Sequence, residues 1–204
     1  MRKSFIACAF LALFLAACAL SPKDLGQAYM FSLSPAKTAA KIHTGSRLNV
    51  ELPTAAPELD THRISLVRDK SVRDYYAGAR WADFLPVLAQ DSLVKTLDGS
   101  GLFKAVASDQ TGLAADMILK LEIRDFQAEY AKTGAAPVIR VGLAASLVTR
   151  PGGRILASFQ TGSSVRQAAS DSLPAIHAAF KSAFLGAQAR IVEKLNQSLA
   201  DGPR

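Results

Sequence analysis

Four aspartates, Asp60, Asp69, Asp74 and Asp83, are close enough in the chain to raise the question of paired carboxylates. Acid–base work needs two such groups whose environments hold one protonated and the other ionised. At these spacings, carboxylates more often serve as solvated turns and helix caps, so catalysis has weak support. His43, His62 and His177 are nineteen or more residues apart, with no Cys or His beside them at metal-ligand spacing, and the expected reading is surface or capping histidines. No G-x-S-x-G elbow is present, and the run Thr161-Gly162-Ser163-Ser164 lacks a placed base. The glycine pairs Gly99/Gly101 and Gly152/Gly153 follow a helix pattern or fall in a hairpin, so neither opens a phosphate-binding helix. No cofactor is expected.

The residue with the clearest chemistry is Cys18. Arg2 and Lys3 precede sixteen uncharged residues, Phe5 to Leu20, whereas a bilayer-spanning helix needs about 20 apolar residues. A positive start, a short apolar run and small residues at Ala16 and Ala17 describe a secretory signal peptide. Leu15-Ala16-Ala17-Cys18 resembles the bacterial lipobox, in which the cysteine thiol receives a diacylglyceryl group, cleavage follows before it, and the new amine can be acylated. Residues 1–17 are then signal peptide, 18–28 a lipidated tether and 29–204 one domain. Two or more acyl chains hold a protein stably, since each buried methylene contributes about 0.8 kcal/mol. With Cys8 removed and Cys18 blocked, no thiol is left for a disulfide or a metal.

Without residues 1–17 the chain carries 22 Lys and Arg against 17 Asp and Glu, a net of +5. These charges are scattered, with no basic run of the kind that follows a phosphate backbone, so nucleic acid is not an expected partner. The remaining 187 residues suffice for one substantial core. Residues 19–28, which include Pro22 and Gly26, read as a linker reaching at most roughly 35 Å.

Strands are predicted at Tyr29–Leu33, Arg47–Leu52 and Arg63–Arg68, with Ala36–Gly45 as loop. Asp83 is the expected cap of a helix from Phe84 to about Gly99, with Ala89, Leu93 and Leu97 on one face and Val87 and Val94 beside them. Leu85 and Leu88 fall off that stripe and suggest contact on a second side. Met117 to Ile123 and Ile139 to Leu147 alternate with period two, and Arg150-Pro151-Gly152-Gly153-Arg154 turns the chain into Ile155–Phe159 as a hairpin. A last helix begins near Asp171 or Ser172 and bears Leu173, Ile176, Phe180, Phe184, Ala187, Ile191, Leu195 and Leu199 at steps of three and four, a core-facing stripe. The expected fold is α/β, a mixed, largely antiparallel sheet packed against two long helices in a single domain. The segment from Leu48 through Val106 permits a parallel crossover, and the later strands are expected to be antiparallel.

One segment gathers interface-type residues. Asp74 to Asp83 holds the only Trp, two of four Tyr and Arg80. Tyr, Trp and Arg are enriched at interface hot spots. Trp81 can plug the sheet–helix junction, with Arg80 paired to Asp83 or Asp74, while Tyr75, Tyr76 and Arg80 are the candidate partner-binding residues.

Leu59 to Leu66, the run Tyr75 to Val106 and the later Ala115 to Tyr130 together resemble the ABC-type transport auxiliary lipoprotein family. Tyr-Tyr-Ala-x-Ala-Arg-Trp-Ala-Asp at Tyr75 to Asp83 is the most specific part; the lack of a proline directly after Asp83 is the departure. The resemblance implies a non-enzymatic accessory part of an importer or exporter built from an ATPase, a permease and a mammalian-cell-entry (MCE) protein, moving lipids or other hydrophobic molecules between two membranes. It also leaves room for a homo-oligomer. Ala19 after Cys18 resembles lipoproteins sorted to the outer membrane, on its periplasmic face. The alternative is an envelope-assembly or carrier lipoprotein that holds a hydrophobic ligand itself, which requires an apolar pocket between sheet and helix.

Overall fold

The computed structural model describes residues 28–69, 71–112, 114–132 and 134–201. Cys18 and the tether apart from Ala28 lie outside the described residues. Two strands form the spine of the sheet. β7 (Met117–Tyr130) and β8 (Val138–Thr149) pair antiparallel over nearly their whole length, broken by one register shift between Ile123 and Asp125. Their alternation sends Leu119, Leu121, Ile123, Phe126 and Ala128, with Ile139, Val141, Leu143, Ala145 and Leu147, to one covered face. Lys120, Glu122 and Arg124 point the other way, to solvent.

Five shorter strands extend the sheet beyond β7 in two branches. β2 (Arg47–Val50) lies parallel to the start of β7 and carries β6 (Ala105–Ser108) outside it, also parallel. β4 (Arg63–Arg68) lies parallel to the end of β7 and carries β5 (Val72–Trp81) antiparallel, with β1 (Tyr29–Phe31) parallel to β5 at the edge. β3 (Thr54–Ala55) fills the gap between the branches. Beyond β8, β9 (Ile155–Gln160) and β10 (Ser164–Gln167) both pair with it antiparallel, completing a ten-stranded mixed sheet.

Helices α1 (Leu85–Ser100) and α2 (Leu173–Ala200) cover one face. In α1, Leu85 is buried one turn before Ala89, Leu93 and Leu97, so it belongs to their row rather than falling off it. Leu88 and Val94 are half-buried against the core, and Val87 is exposed. The second side of α1 is polar: Ser92 and Thr96 are buried against α2. Asp83 does not cap this helix. Phe84 holds the N-cap position, the Asp83 carboxylate accepts only from the Phe84 N–H at 2.7 Å, and Pro86 presets the first turn. Gly101 ends it in the left-handed region at φ 72°. α2 starts as expected, with the Ser172 hydroxyl accepting from the Ala175 N–H, and Ile176, Phe180, Phe184, Ala187, Ile191 and Leu195 are fully buried. Leu173 and Leu199, at its ends, are partly buried.

Residues 32–45 form no regular element, yet their backbone is held. Gln188 of α2, wholly buried, donates to the Ser34 carbonyl at 3.0 Å and accepts from the Ala36 N–H at 3.2 Å and the Thr96 hydroxyl. Asn196 accepts from the Lys41 N–H, and the Ala40 and Thr44 N–H groups donate to carbonyls at the end of α1 and just past it. The segment is a strap across the seam between the helices, its backbone held by the side chains of Gln188, Thr96 and Asn196 and by carbonyls at or just past the end of α1 instead of by a sheet. At the start of β2 Arg47 donates two side-chain bonds and its backbone N–H to Asp116.

Two outcomes follow from this packing. Phe184→Ala is expected to destabilise by about 3 to 5 kcal/mol through a cavity, and Lys181→Ala by within about 0.5 kcal/mol, both read by denaturant unfolding. The bonds that Arg47 donates hold the Asp116 carboxyl at about 2, below its ordinary 3.8. A lowered folded value contributes stability above the unfolded one and loses it as pH falls through the folded one. Asp116→Asn should therefore be less stable than wild type at neutral pH, and the difference should vanish as the pH approaches about 2.

Candidate docking surface

The segment that gathers Tyr75, Tyr76, Arg80 and Trp81 is a strand, β5, rather than a lead-in to the helix. Its pairing with β4 is interrupted: Arg63 lies opposite Arg80 and Ser65 opposite Tyr75, so Tyr76, Ala77, Gly78 and Ala79 together face Ile64. Gly78, at φ 73°, supplies the left-handed residue that this bulge needs. The bulge re-aims the side chains. Trp81 and Ala79 are buried on the helix side, and Trp81 meets Phe126 and Phe180 edge-on at ring-centroid distances of 5.5 and 5.3 Å. Trp81 is thus a core plug.

The three candidate residues part company. Tyr76 turns toward the helix side, half-buried, where its hydroxyl lies 2.8 Å from that of Tyr130, which in turn donates to Asp171 beside the start of α2. Burial, with the bond to Tyr130 second, raises the Tyr76 phenol well above its ordinary value; burial and Asp171 push Tyr130 up to about 12. Tyr75 lies on the uncovered face, its hydroxyl directed at the Glu58 carbonyl and its ring under the Arg63 guanidinium, 3.7 Å from the centroid. Arg80 is exposed on the same face, and its Nη2 contacts the Met30 sulfur at 3.7 Å. It pairs with neither Asp83 nor Asp74; Asp74 faces Arg68 at 3.7 Å. Arg63, absent from the sequence-based candidates, joins Tyr75 and Arg80. The alternation of Arg63-Ile64-Ser65-Leu66 places it outward, but only the sheet register brings it against Arg80.

The aspartates and histidines do not converge. Asp69 takes the turn between β4 and β5 at φ 49°. His43 contacts the Gly101 carbonyl, His62 packs against Phe84 at a tilt, and His177 stacks on Phe31 and contacts the Ser32 carbonyl. Among the described residues no group of three His, Cys, Asp or Glu could hold a metal.

Two grooves lie on the uncovered face. One, of about 540 Å³, runs over β7, β8 and β9 past Lys120, Glu122, Arg124 and Ser158; the other, of about 470 Å³, is bounded by Val67, Arg73, Gln127 and Arg140. The space between sheet and helices that a carrier would need is occupied by Trp81, Phe126, Phe180 and Phe184.

No curated protein matches this chain. The crystal structure of protein XCC0632 from Xanthomonas campestris is similar, with 25% identity, 85% of this chain and 99% of that one covered, and a TM-score of 0.76. A second crystal structure, of an uncharacterized protein, shares the fold at 14% identity, covering 83% of this chain and 99% of that one with a TM-score of 0.62. The family model described as the ABC-type transport auxiliary lipoprotein component matches residues 29–192, and the chain belongs to that family.

Proposed function

We propose that this protein is a lipid-anchored, non-enzymatic subunit of an ABC transport system that moves lipids or other hydrophobic molecules between the two membranes of an envelope. It docks an MCE-domain protein whose permease and ATPase are separate chains. Cys18 carries the anchor, and Ala19 after it favours the outer membrane. The family match over residues 29–192 carries this reading. The uncovered face of β4 and β5 supports a docking role, because Tyr75, Arg80 and Arg63 are presented outward while the helix side is filled. No helix among the described residues is long and apolar enough to cross a membrane, in keeping with a lipid as the anchor.

Cys18→Ala should leave the precursor unlipidated and deplete the mature protein from membrane fractions. Retention of a cleaved, membrane-bound Cys18→Ala form, with no acyl label in the wild type, would remove the lipid anchor from the account. Replacing Tyr75 and Arg80 together with Ala should cost about 1 kcal/mol of stability, chiefly the lost stacking with Arg63. Capture of the MCE partner should fall roughly a thousandfold if two hot-spot losses of about 2 kcal/mol add. Trp81→Ala is the control, expected to cost about 3 to 5 kcal/mol of stability as the loss of a core plug. Wild-type capture by a normally folded double variant would move the docking surface elsewhere.

A further inference from the structure

Most cations of the uncovered face are matched by carboxylates. Arg73 lies 3.9 Å from Glu58, Lys120 3.7 Å from Glu51, Arg124 3.1 Å from Glu122, and Arg140 donates to both oxygens of Glu129. Arg63 and Arg80 break the pattern. They are exposed and directly opposite one another across β4 and β5. Directly opposed residues of an antiparallel pair have Cα atoms only about 4.5 to 5.5 Å apart, and like charges there are destabilising. Among the described residues no carboxylate comes within ion-pair distance of either guanidinium.

What each arginine does touch leaves it free to bind. Tyr75 takes the flat face of the Arg63 guanidinium, which leaves its edge N–H groups unused. Arg80 spends one nitrogen on a thioether sulfur, a weak acceptor that an oxyanion would displace. Met30, 61% exposed and in register with Arg80 on the neighbouring strand, adds an apolar margin.

We propose that Arg63 and Arg80, flanked by Tyr75 and Met30, form a receptor for a carboxylate-bearing, acidic segment of a protein partner. This rests on the docking role of β4 and β5 and names the chemistry the partner must present. The planar fork of each guanidinium matches a carboxylate with two bonds, and the pair is relieved of its mutual repulsion only when an anion enters. A protein segment fits better than a bilayer. Asp60 and Asp83 are exposed near the pair in the chain, so a plane of anionic headgroups would meet acids as well as arginines, whereas a single side chain can reach the arginines alone.

Arginine footprinting tests this on the full lipidated protein in nanodiscs. Phenylglyoxal modification is followed by mass spectrometry at Arg63 and Arg80, with the exposed hairpin arginines Arg150 and Arg154 as internal reference. A peptide of consecutive glutamates is the probe, and a peptide of consecutive glutamines its control. The glutamate peptide should slow modification at Arg63 and Arg80 at least about fivefold, as charge-assisted bonds require, and leave Arg150 and Arg154 unchanged. The glutamine peptide should protect none. Equal protection of all four arginines would reduce the effect to net charge and overturn the proposal. So would protection of the pair by a nanodisc containing phosphatidylglycerol without any peptide, which would assign it to the membrane. Because the probe is synthetic, the result stands apart from whether an MCE protein co-purifies. Protection without co-purification would sink the transport partnership alone, and co-purification without protection would sink the acidic contact alone.

Discussion

The structure depends on one aromatic junction. Trp81, at the end of β5, meets Phe31 of β1, Phe126 of β7 and Phe180 of α2, all close to edge-on, while Phe126 and Phe180 stack parallel and offset. These contacts tie the edge of the sheet, its central strand and the long helix into one body. Edge-on ring pairs contribute about 0.5 to 1.5 kcal/mol each beyond their buried area, and full burial of such side chains adds about 1.5 to 3 kcal/mol apiece. Because Trp81 and Ala79 must point inward, Arg80 between them must point outward. The core therefore fixes the orientation of the residues that face solvent at the same edge.

That constraint also divides the molecule into two unlike sides. The covered side is closed by apolar packing and by the buried amide of Gln188, which joins α1, α2 and the strap of residues 32–45 through Thr96, Ser34 and Ala36. Losing one partner of such a buried network leaves the others unsatisfied, so this side is rigid and occupied. The uncovered side is a pleated, charged surface with shallow grooves. Its charges are mostly paired locally, and the Arg63–Arg80 row departs from that pairing. A filled side and an open, charged side suit the proposed role of an accessory subunit held by a tether and presenting one face to a partner.

The residues themselves announced much of this architecture. The stripe from Ile176 to Leu195 and the period-two patterns of β7 and β8 were legible because each element buries one face over a long run. β5 was not legible as a strand, since the bulge at Tyr76 to Ala79 breaks the alternation between Tyr75 and Trp81. β10 is four residues long and follows a turn of small polar residues. The strap could not be read locally, because its bonding partners Gln188 and Asn196 are more than 150 residues away in the chain. The start of α1 escaped because Asp83 has the right chemistry for a cap but lies one residue too early. In the proposed docking surface, Tyr75 and Arg80 were candidates by residue type, and the inward turn of Tyr76 and the arrival of Arg63 required the sheet register.

Site-specific photo-cross-linking in living cells reads the central division of the molecule most directly, with a photoreactive amino acid at position 75 on the uncovered face or at position 181 on the exposed side of α2. The account predicts adducts to a subunit of the transport assembly from position 75 and none from position 181. Adducts from position 181 alone, or equally from both, would contradict it and place the partner on the helices.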